Sequence, residues 1–300
     1  LASLNELYTR AQANGVRASM IDGQILREVE PCAKTVGMAL YVEDTAVVNP
    51  QMVMDSLAAD AVQEGVEFEF DCAWQGSTKV GVVNTSRGQI AYGHLVNCTG
   101  LFADRIAQAL GVGSQYRILP FRGQYCLLRP QSQVQVRGNI YPVPDLRNPF
   151  LGIHFTRRPD GEVTVGPSAL PLLGREQYRG LNGASVRDGI NMLRYLLRLF
   201  GNNLDHFRSM AWKELMKMSH VGFYREAAGL VVGLEKHDLL PGKQAGIRAQ
   251  LVNTGTAELI NDFVVESGPR STHVLNAISP AFTSALPFAE YVVDTMKIGE

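Results

Sequence analysis

Several features that mark particular protein classes are missing from this sequence. No uncharged apolar run reaches 18 residues, so we expect no membrane-spanning helix. There is no basic excess either, because 28 Lys and Arg stand against 29 Asp and Glu and the formal net charge is −1. A nucleic-acid partner requires a basic surface for its phosphates, and we therefore expect none.

The cysteines also exclude two kinds of site. The four cysteines, at positions 32, 72, 98 and 126, lie far apart and form no CxxC pair. This spacing indicates neither a zinc site nor a disulfide framework, so we expect no metal, and buried free thiols in a reducing compartment. The chain begins at Leu1, without Met and without a signal-peptide pattern, which we interpret as a processing or fragment boundary.

What is present suits a large folded chain with helices near its start. Its 300 residues, 46% of them apolar, can bury a sizeable core in one large or two interleaved domains. Apolar residues from Leu1 to Ala11 fall on one helical face, and Asn14-Gly15 supplies a stop. Asn49, a cap residue, followed by Pro50 predicts a second helix. This helix is expected to end at Gly65.

Strands are expected after that helix. Val66, Phe68 and Phe70 alternate with glutamates, which predicts a strand over 66–70, and further strands are predicted at 79–84 and 89–98. The run from His94 to Gly100 then ends a buried strand in a turn of small residues before a helix over 102–110. Such a turn brings backbone N–H groups close to a nucleotide in some proteins, but in most it only connects a strand to a helix.

A two-faced hairpin is predicted at 150–166, FLGIHFTRRPDGEVTVG. Leu151, Ile153 and Phe155 alternate with Gly152, His154 and Thr156, and a Pro-Asp-Gly turn follows. The Leu/Ile/Phe face is expected to point into a core. By periodicity alone, the Gly/His/Thr face points either to water or to a ligand.

The region 185–218 is predicted to be helical, with two distinct faces. One face carries Val186, Ile190, Leu193, Leu197 and Phe200, and the other carries Arg187, Asn191, Arg194 and Arg198. A solvated helix face explains the basic stripe, and anionic lipid or a protein partner is the alternative. Peripheral membrane association is thus one expectation.

Two C-terminal segments carry candidate ligand groups. Arg248, between small residues at 241–250, suits a carboxylate held through two parallel hydrogen bonds, although a surface arginine is equally consistent with the spacing. Ser279 and Pro280 are expected to begin a helix that continues from Phe282 to about Met296. The first-turn N–H groups of such a helix attract an anion.

These segments together resemble a known family. ILPFRGQYCLLRP, GNIYPVPDLRNPFLGIHFTRRPDGEVTVGPSAL, GIRAQL, INDFVVE and HVLNAISPA occur in the order typical of the L-2-hydroxyglutarate dehydrogenase/oxidase family. These are FAD-dependent flavoproteins of the wider D-amino-acid-oxidase-like class. The resemblance extends from about Leu1 to Glu300 and includes VEPCAKT and LVNCTGLFADRIA.

The resemblance implies a mixed α/β fold with two interleaved domains. An incomplete Rossmann-like FAD domain is expected over 46–118 and 241–300, and a substrate domain of β-sheet plus helices over 1–45 and 119–240. The strand that ends at Thr99 and Gly100 is expected beside FAD. Further FAD contacts are expected at Gly246, Ser279, Pro280 and Ala281.

The resemblance also implies oxidation of L-2-hydroxyglutarate to 2-oxoglutarate, with the C2 hydrogen passing as hydride to flavin N5. Arg248 matches the position at which relatives bind the substrate carboxylate, and His154 and Tyr141 fall on the sheet that covers the flavin. Histidine suits the base for the hydroxyl proton because its ordinary pKa is about 6.5. His154 is therefore the candidate, either as this base or as a donor to the substrate's hydroxyl or carboxylate, and a core or solvent-facing role for it stays open. Arg122 either binds the second carboxylate of the substrate or has a structural role.

One element of the family is missing: no GxGxxG turn for the FAD pyrophosphate occurs in the chain. The chain is therefore expected to be a fragment, one part of a split enzyme, or a degenerate relative that serves as a structural or assembly subunit without flavin. Without that element the parallel sheet is open, and we expect a partner to cover its apolar edge and face. The electron acceptor is not specified. Eukaryotic relatives are mitochondrial, and bacterial ones are cytoplasmic and often membrane-associated.

Overall fold

A computed structural model of the chain describes residues 1–144, 152–278 and 280–296. The α-helices in these ranges are α1 Ala2–Ala13, α2 Gly23–Val29, α3 Pro50–Gln63, α4 Ala103–Ala109, α5 Val186–Asn202, α6 Phe207–Lys217, α7 His220–Ala228 and α8 Ala285–Asp294. The strands are β1 Ala18–Asp22, β2 Met38–Val42, β3 Trp74–Lys79, β4 Val82–Thr85, β5 Gly88–Ala91, β6 Leu95–Asn97, β7 Tyr116–Leu128, β8 Asn139–Ile140, β9 His154–Arg157, β10 Val163–Pro171, β11 Leu239–Asn253, β12 Glu258–Leu259, β13 Val264–Gly268 and β14 Ser271–Asn276. The predicted mixed α/β class is confirmed.

The chain divides into two compact units. The first contains Leu1–Val66, Gly123–Leu170 and Arg208–Gly246, and the second contains Glu67–Arg122, Pro171–Phe207 and Ile247–Glu300. Strands β7, β10 and β11 pass from one unit into the other along the chain. The predicted FAD and substrate domains stay predictions.

The first unit contains most of a six-stranded sheet with the strand order β12-β11-β7-β10-β9-β8. The predicted hairpin is confirmed over its described part: β9 and β10 are antiparallel, with Phe155 opposite Val165 and His154 opposite Gly166. Positions 150 and 151 of that prediction lie outside the described residues. Ile153, Phe155 and Val165 are fully buried in the core of this unit, where they pack with residues of α7 such as Phe223. His154 and Thr156 are half-buried on the other face.

The second unit contains two three-stranded sheets, β13-β14-β6 and β3-β4-β5. Strands β14 and β6 are parallel, with Thr272 opposite Val96 and His273 opposite Asn97. A core of Ala103, Ala107, Ile118, Leu251 and Leu275 holds α4 against neighbouring strands. Every residue of β14 is buried, as expected of a strand at the centre of a sheet.

The two N-terminal helices form as predicted. Helix α1 covers residues 2–13. Helix α3 begins with Pro50 at its first turn, and the Asn49 side chain accepts hydrogen bonds from the N–H groups of Gln51 and Met52. This is the cap that the Asn-Pro sequence predicts.

The predicted strand at 66–70 is wrong. Gly65, with φ at 88°, ends α3, and no strand of the described chain pairs with 66–70. Without a neighbouring strand, the backbone has no ladder of hydrogen bonds to join, and Phe68 and Phe70 instead stack on each other at 5.9 Å while remaining exposed. Apolar residues and glutamates alternate in this segment, but the apolar side chains stay exposed.

The predicted strands at 79–84 and 89–98 have the wrong bounds. A turn at Gly81, with φ at 88°, separates β3 from β4, so 79–84 is the middle of a hairpin. The segment 89–98 contains two strands, β5 and β6, which belong to different sheets.

The predicted C-terminal helix start is also wrong. Helix α8 begins at Ala285, with Ser284 before it. The Thr283 and Ser284 hydroxyls donate to the Pro280 carbonyl at 3.0 Å. Such side-chain bonds compete with helical ones, so a turn occupies 280–284.

Helix α5 leaves its apolar face exposed. Asn203, in the left-handed conformation, ends it, so 185–218 is not one continuous helix. Asp188, Met192, Tyr195 and Leu199 are the buried row. The predicted apolar face is 51–82% exposed from Val186 to Phe200. No helix among the described residues is long and apolar enough to cross a membrane.

Candidate functional site

His154 and Tyr141 form an aromatic pair in the first unit. His154 is the first residue of β9, and Tyr141 follows β8, the strand next to it. Their ring centroids lie 4.7 Å apart with 27° between the planes. The short strand β8 brings the Tyr141 ring to the polar face of the hairpin, so two of the three predicted catalytic residues meet.

The environment of His154 keeps its imidazole neutral. Burial lowers the pKa of His154, and the hydrogen bond with the Gly152 carbonyl opposes that shift without cancelling it. Nδ1 lies 2.9 Å from this carbonyl oxygen, which only accepts, so Nδ1 carries the hydrogen of the neutral ring. Nε2 is then the acceptor nitrogen. The ring is thereby prepared to take a proton at Nε2.

Gly152 is required for a close approach. A Cβ atom at this position would lie 3.0 Å from Pro142 Cγ and 3.5 Å from Glu226 Oε1. The first of these distances is too short for an ordinary side chain. The missing side chain at Gly152 thus makes room for the segment that carries Tyr141, and not for a ligand.

Tyr125 is a neighbouring residue that the sequence reasoning missed. Burial raises the pKa of the Tyr125 hydroxyl, and the Tyr141 phenol raises it further. A Cβ atom on Gly166 would lie 2.9 Å from Tyr125 Cδ1, so only glycine fits beside this ring. The FRGQY block contained Tyr125, but no pattern distinguished it from a core tyrosine.

In the second unit, Thr99 and Gly100 lie where β6 ends. The Asn97 side-chain oxygen accepts hydrogen bonds from the Thr99 hydroxyl at 2.7 Å and the Thr99 N–H at 3.3 Å. Gly100 has φ at 55°, and a Cβ atom there would have no described atom within 4 Å. The Asn97 side chain therefore fixes the turn at Thr99, while the backbone at Gly100 is open to close approach.

His273 is a second residue that sequence reasoning missed. Its Nδ1 accepts from the Asn97 side-chain amide at 3.1 Å, and its Nε2 lies 3.0 Å from the Ser271 hydroxyl. The same Asn97 amide donates to the Ala103 carbonyl at 2.9 Å. Burial lowers the pKa of His273 to about 4, helped by the charge of His94. His273 is thus a neutral member of the network that fixes the turn.

Two buried amide oxygens lie near the end of the same unit's strands. Gln250 Oε1 on β11 and Asn276 Oδ1 on β14 have no hydrogen-bond partner among the described residues. The amide nitrogens of both side chains donate to the Ile260 carbonyl, at 2.9 Å and 3.2 Å. Because β14 is parallel to β6, Asn276 and the Thr99–Gly100 turn both stand at the carboxyl edge of the pair. In open α/β sheets, ligands bind at this edge.

The third predicted catalytic residue, Arg248, is also in the second unit. Burial lowers the pKa of its guanidinium to about 10, which still leaves it charged at neutral pH. Arg122, by contrast, donates to the Tyr178 carbonyl, at 3.5 Å.

The remaining predicted cofactor residues have different surroundings. Gly246 closes the last segment of the first unit, and Ser279 lies outside the described residues. The Ala281 N–H donates to the Ile278 carbonyl at 2.8 Å, and Pro280 has no N–H. Pro280 and Ala281 therefore offer no free N–H donor. Within the described residues, no group of three or more His, Cys, Asp and Glu side chains is placed to hold a metal ion.

The profile of the family described as "DAO: FAD dependent oxidoreductase" matches residues 1–295. The chain belongs to this family. It is 35% identical to the L-2-hydroxyglutarate dehydrogenase of Salmonella houtenae, over 99% of this chain and 70% of the relative. Identity to the mitochondrial L-2-hydroxyglutarate dehydrogenase of Homo sapiens is 32%, over 98% of this chain and 67% of the relative. The resemblance drawn from the sequence blocks is confirmed.

Solved structures show the same fold. The dithionite-reduced L-alpha-glycerophosphate oxidase from Mycoplasma pneumoniae with FAD bound has a TM-score of 0.70 at 18% identity, over 97% of this chain and 68% of that one. The L-amino acid deaminase from Proteus myxofaciens has a TM-score of 0.63 at 16% identity, over 99% and 70%.

FAD is the cofactor of the family, and the carboxyl edge of β6 and β14 fits part of it. FAD carries hydroxyl and imide donors, which suit the unpaired buried oxygens of Gln250 and Asn276. Gly100 leaves its turn open to close backbone approach. The residues present thus suit FAD.

Proposed function

We propose that this chain takes part in the FAD-dependent oxidation of L-2-hydroxyglutarate to 2-oxoglutarate. The observation that carries the proposal is identity of 32–35% to L-2-hydroxyglutarate dehydrogenases over nearly the whole chain. The chemistry of the two units is consistent with it, since one offers a neutral histidine and the other a buried arginine.

FAD, when bound, supplies the hydride acceptor. In this proposal Thr99, Gly100, Gln250 and Asn276 hold it at the carboxyl edge of β6 and β14. Gly246, Ser279, Pro280 and Ala281 remain proposed contacts, on the family resemblance alone.

His154 is the proposed base. Its Nδ1 hydrogen is committed to the Gly152 carbonyl, so Nε2 takes the proton of the substrate hydroxyl. Tyr141 covers one face of the imidazole and limits its rotation. The imidazole is already neutral at the working pH, so no prior deprotonation is needed.

Arg248 is the proposed partner of the substrate's carboxylate. A guanidinium binds a carboxylate through two parallel hydrogen bonds, which fixes direction as well as charge. Burial has already removed part of the water around Arg248. A carboxylate that binds there therefore displaces less water than it would at an exposed arginine.

The experiment is purification of the chain followed by spectroscopy and assay. A flavin band near 450 nm, bleached by L-2-hydroxyglutarate but not by the D-enantiomer, is the expected result. A colourless chain that neither binds added FAD nor oxidises the substrate, but co-purifies with a partner chain, would contradict the proposal and favour the flavin-free subunit.

We also propose that the exposed face of α5 rests on an anionic lipid surface. Val186, Ile190, Leu193 and Leu197 form one apolar row, each at least 61% exposed. Arg187 and Arg194 are exposed along one edge of that row. The only acidic residue of α5, Asp188, is buried in ion pairs with Arg105 and Arg175. An exposed face of apolar and basic residues is typical of helices that lie in a membrane interface.

Co-sedimentation with vesicles tests this surface. We expect binding to vesicles of phosphatidylcholine and phosphatidylglycerol but not of phosphatidylcholine alone, with a loss of about 30-fold in affinity for Arg187→Ser/Arg194→Ser. Leu193→Ser/Leu197→Ser should also release the chain. The control is Lys79→Ser/Val80→Ser, on exposed residues at a hairpin of the same unit. Binding that the helix variants leave unchanged would refute the surface, and so would a dimer that they dissociate.

A further inference from the structure

A buried lysine lies behind the hairpin that carries His154. Lys217, the last residue of α6, is 8% exposed at its side chain. Its Nζ lies 2.8 Å from Glu214 Oε1, on the same helix, and 3.0 Å from Glu226 Oε1, on α7. Burial lowers the pKa of Lys217, but the hydrogen bonds and charges of Glu214 and Glu226 outweigh this and raise it overall. The lysine therefore stays charged between two carboxylates.

Each carboxylate also holds one strand of the hairpin. Glu226 Oε1 accepts the N–H of Ile153 at 3.3 Å, and Ile153 directly precedes His154. Glu214 Oε2 accepts the N–H of Ala169, on β10, at 3.0 Å. Lys217 thus joins both strands of the hairpin through two carboxylates.

The two helices are built to keep the cluster close. Only Met218 and Ser219 separate α6 from α7. The Ser219 side chain caps α7 by accepting from the Gly222 N–H. A Cβ atom on Gly222 would lie 1.9 Å from the Met216 carbonyl oxygen, so no other residue permits this approach. The corner between the helices is therefore fixed by local sequence.

Stability alone is a weak reason for such a cluster. Lys217 and Glu214 are buried, while Glu226 is 35% exposed at its side chain. Taking the first two charged groups out of water is costly, and replacing a buried ion pair by packed apolar residues is often neutral or favourable. Buried charged groups are better attested as groups that fix one arrangement of the chain. Here the backbone that they fix is that of the hairpin carrying the His154 imidazole.

We infer that Lys217, acting through Glu226 and Glu214, is a positioning residue that fixes the hairpin and thereby aims His154. Lys217 touches neither His154 nor Tyr141; its effect passes through the Ile153 and Ala169 backbone. The inference rests on the proposed role of His154 as base. Its claim that Lys217 fixes the hairpin does not depend on flavin or turnover.

The test compares four variants of the full chain. Lys217→Met removes the central charge, and Glu226→Met removes the acceptor of the Ile153 N–H. Glu226→Gln keeps an acceptor oxygen and serves as the conservative rescue. Lys213→Met, an exposed lysine on the same helix, is the matched control.

The first readout is the imidazole titration of His154, followed by NMR and assigned with His154→Gln. Lys217→Met and Glu226→Met are expected to move the midpoint up, toward the ordinary value of about 6.5, because a loosened hairpin admits water to the ring. Glu226→Gln and Lys213→Met should titrate as the unchanged chain does. If Lys217→Met does not fold, the comparison of the two Glu226 variants decides.

The second readout is kinetic. In the flavin-loaded enzyme, Lys217→Met and Glu226→Met should lower kcat about tenfold or more with KM nearly unchanged, since misdirection of the base affects the chemical step. Variants that melt earlier yet keep the wild-type titration and kcat would overturn the inference and leave a purely structural cluster. A wild-type chain without activity would refute the proposed function alone, and the titration would still test Lys217.

Discussion

The ring of Tyr141 lies stacked on that of His154 at 4.7 Å, while the Gly152 carbonyl takes the Nδ1 hydrogen of the same histidine. One face and one nitrogen of the imidazole are thereby fixed by the protein. Nε2 is the position left for chemistry, and its protonation follows directly from pH.

The pH profile of the reaction should show this. Because burial lowers the pKa of His154, the base is neutral from about pH 6.5 upward. We expect kcat/KM to be constant above that pH and to fall at lower pH. His154→Gln should lose about 100-fold or more in kcat/KM together with the acid limb. The exposed His237→Gln is the control, and an acid limb retained in His154→Gln would exclude His154 as the base.

Arg248 should be sensitive to a conservative change. Arg248→Lys keeps the charge but loses the planar fork, and hydrogen bonds to a charged group are worth about 1.5–3 kcal/mol. We expect KM for L-2-hydroxyglutarate to rise about 10- to 100-fold in steady-state assays. The control is Arg270→Lys, an exposed arginine that donates to the backbone carbonyls of Tyr92 and Gly93. An unchanged KM removes Arg248 from the site.

His273 predicts acid sensitivity of the fold. Its pKa is lowered to about 4 when folded and is about 6.5 when unfolded, so the unfolded chain binds more protons between these values. This contribution to stability is complete above about pH 6.5 and is lost as the pH falls. We expect about 2 kcal/mol less free energy of unfolding at pH 5 than at pH 7.5 from this residue.

Urea unfolding at the two pH values measures that difference. His273→Leu should be less stable throughout, because the Asn97 amide loses an acceptor, but its dependence on pH should be smaller by about 2 kcal/mol. An unaltered dependence would show that His273 does not titrate in this range.

The pair of Arg175 with Asp104 should be indispensable for stability. Both side chains are at most 5% exposed, and Arg175 Nη2 donates to Asp104 Oδ2 at 2.9 Å. Arg175→Met leaves buried carboxylates without their cation, which costs about 3–5 kcal/mol. Arg87→Met, which breaks the exposed pair with Glu69, should cost under about 1 kcal/mol by the same urea measurement. Equal losses would contradict this assignment.

Periodicity predicted a strand pair well where one face met a core, and a cap predicted the start of α3 although none of that helix's residues is buried. The hairpin at 150–166 and the Asn49-Pro50 helix start are examples, because strand alternation and capping act over a few residues. The segment 66–70 alternates equally well but has no partner strand, and alternation contains no information about partners. The apolar row on α5 was predicted as a face, but an apolar face in the sequence does not identify what covers it.

The candidate site was predictable only in part. Order and spacing of blocks pointed to His154, Tyr141 and Thr99 through the resemblance. Asn97, His273 and Lys217 act across contacts between residues 73 to 176 positions apart or through other side chains, and sequence spacing cannot reveal such contacts. The sequence pointed to parts of the site, but the roles of these three residues are visible only in the folded structure.

The pairing of His154 with Gly166 also limits how this hairpin can evolve. Strand side chains alternate with a period of two, so a slip of one residue would send His154 into the core and place Phe155 at the polar face. An insertion of one residue in β9 would therefore remove the imidazole from Tyr141 even if every hydrogen bond of the sheet were restored. Changes of length on the His154 side of the turn preserve the site in steps of two, or where a β-bulge absorbs the extra residue.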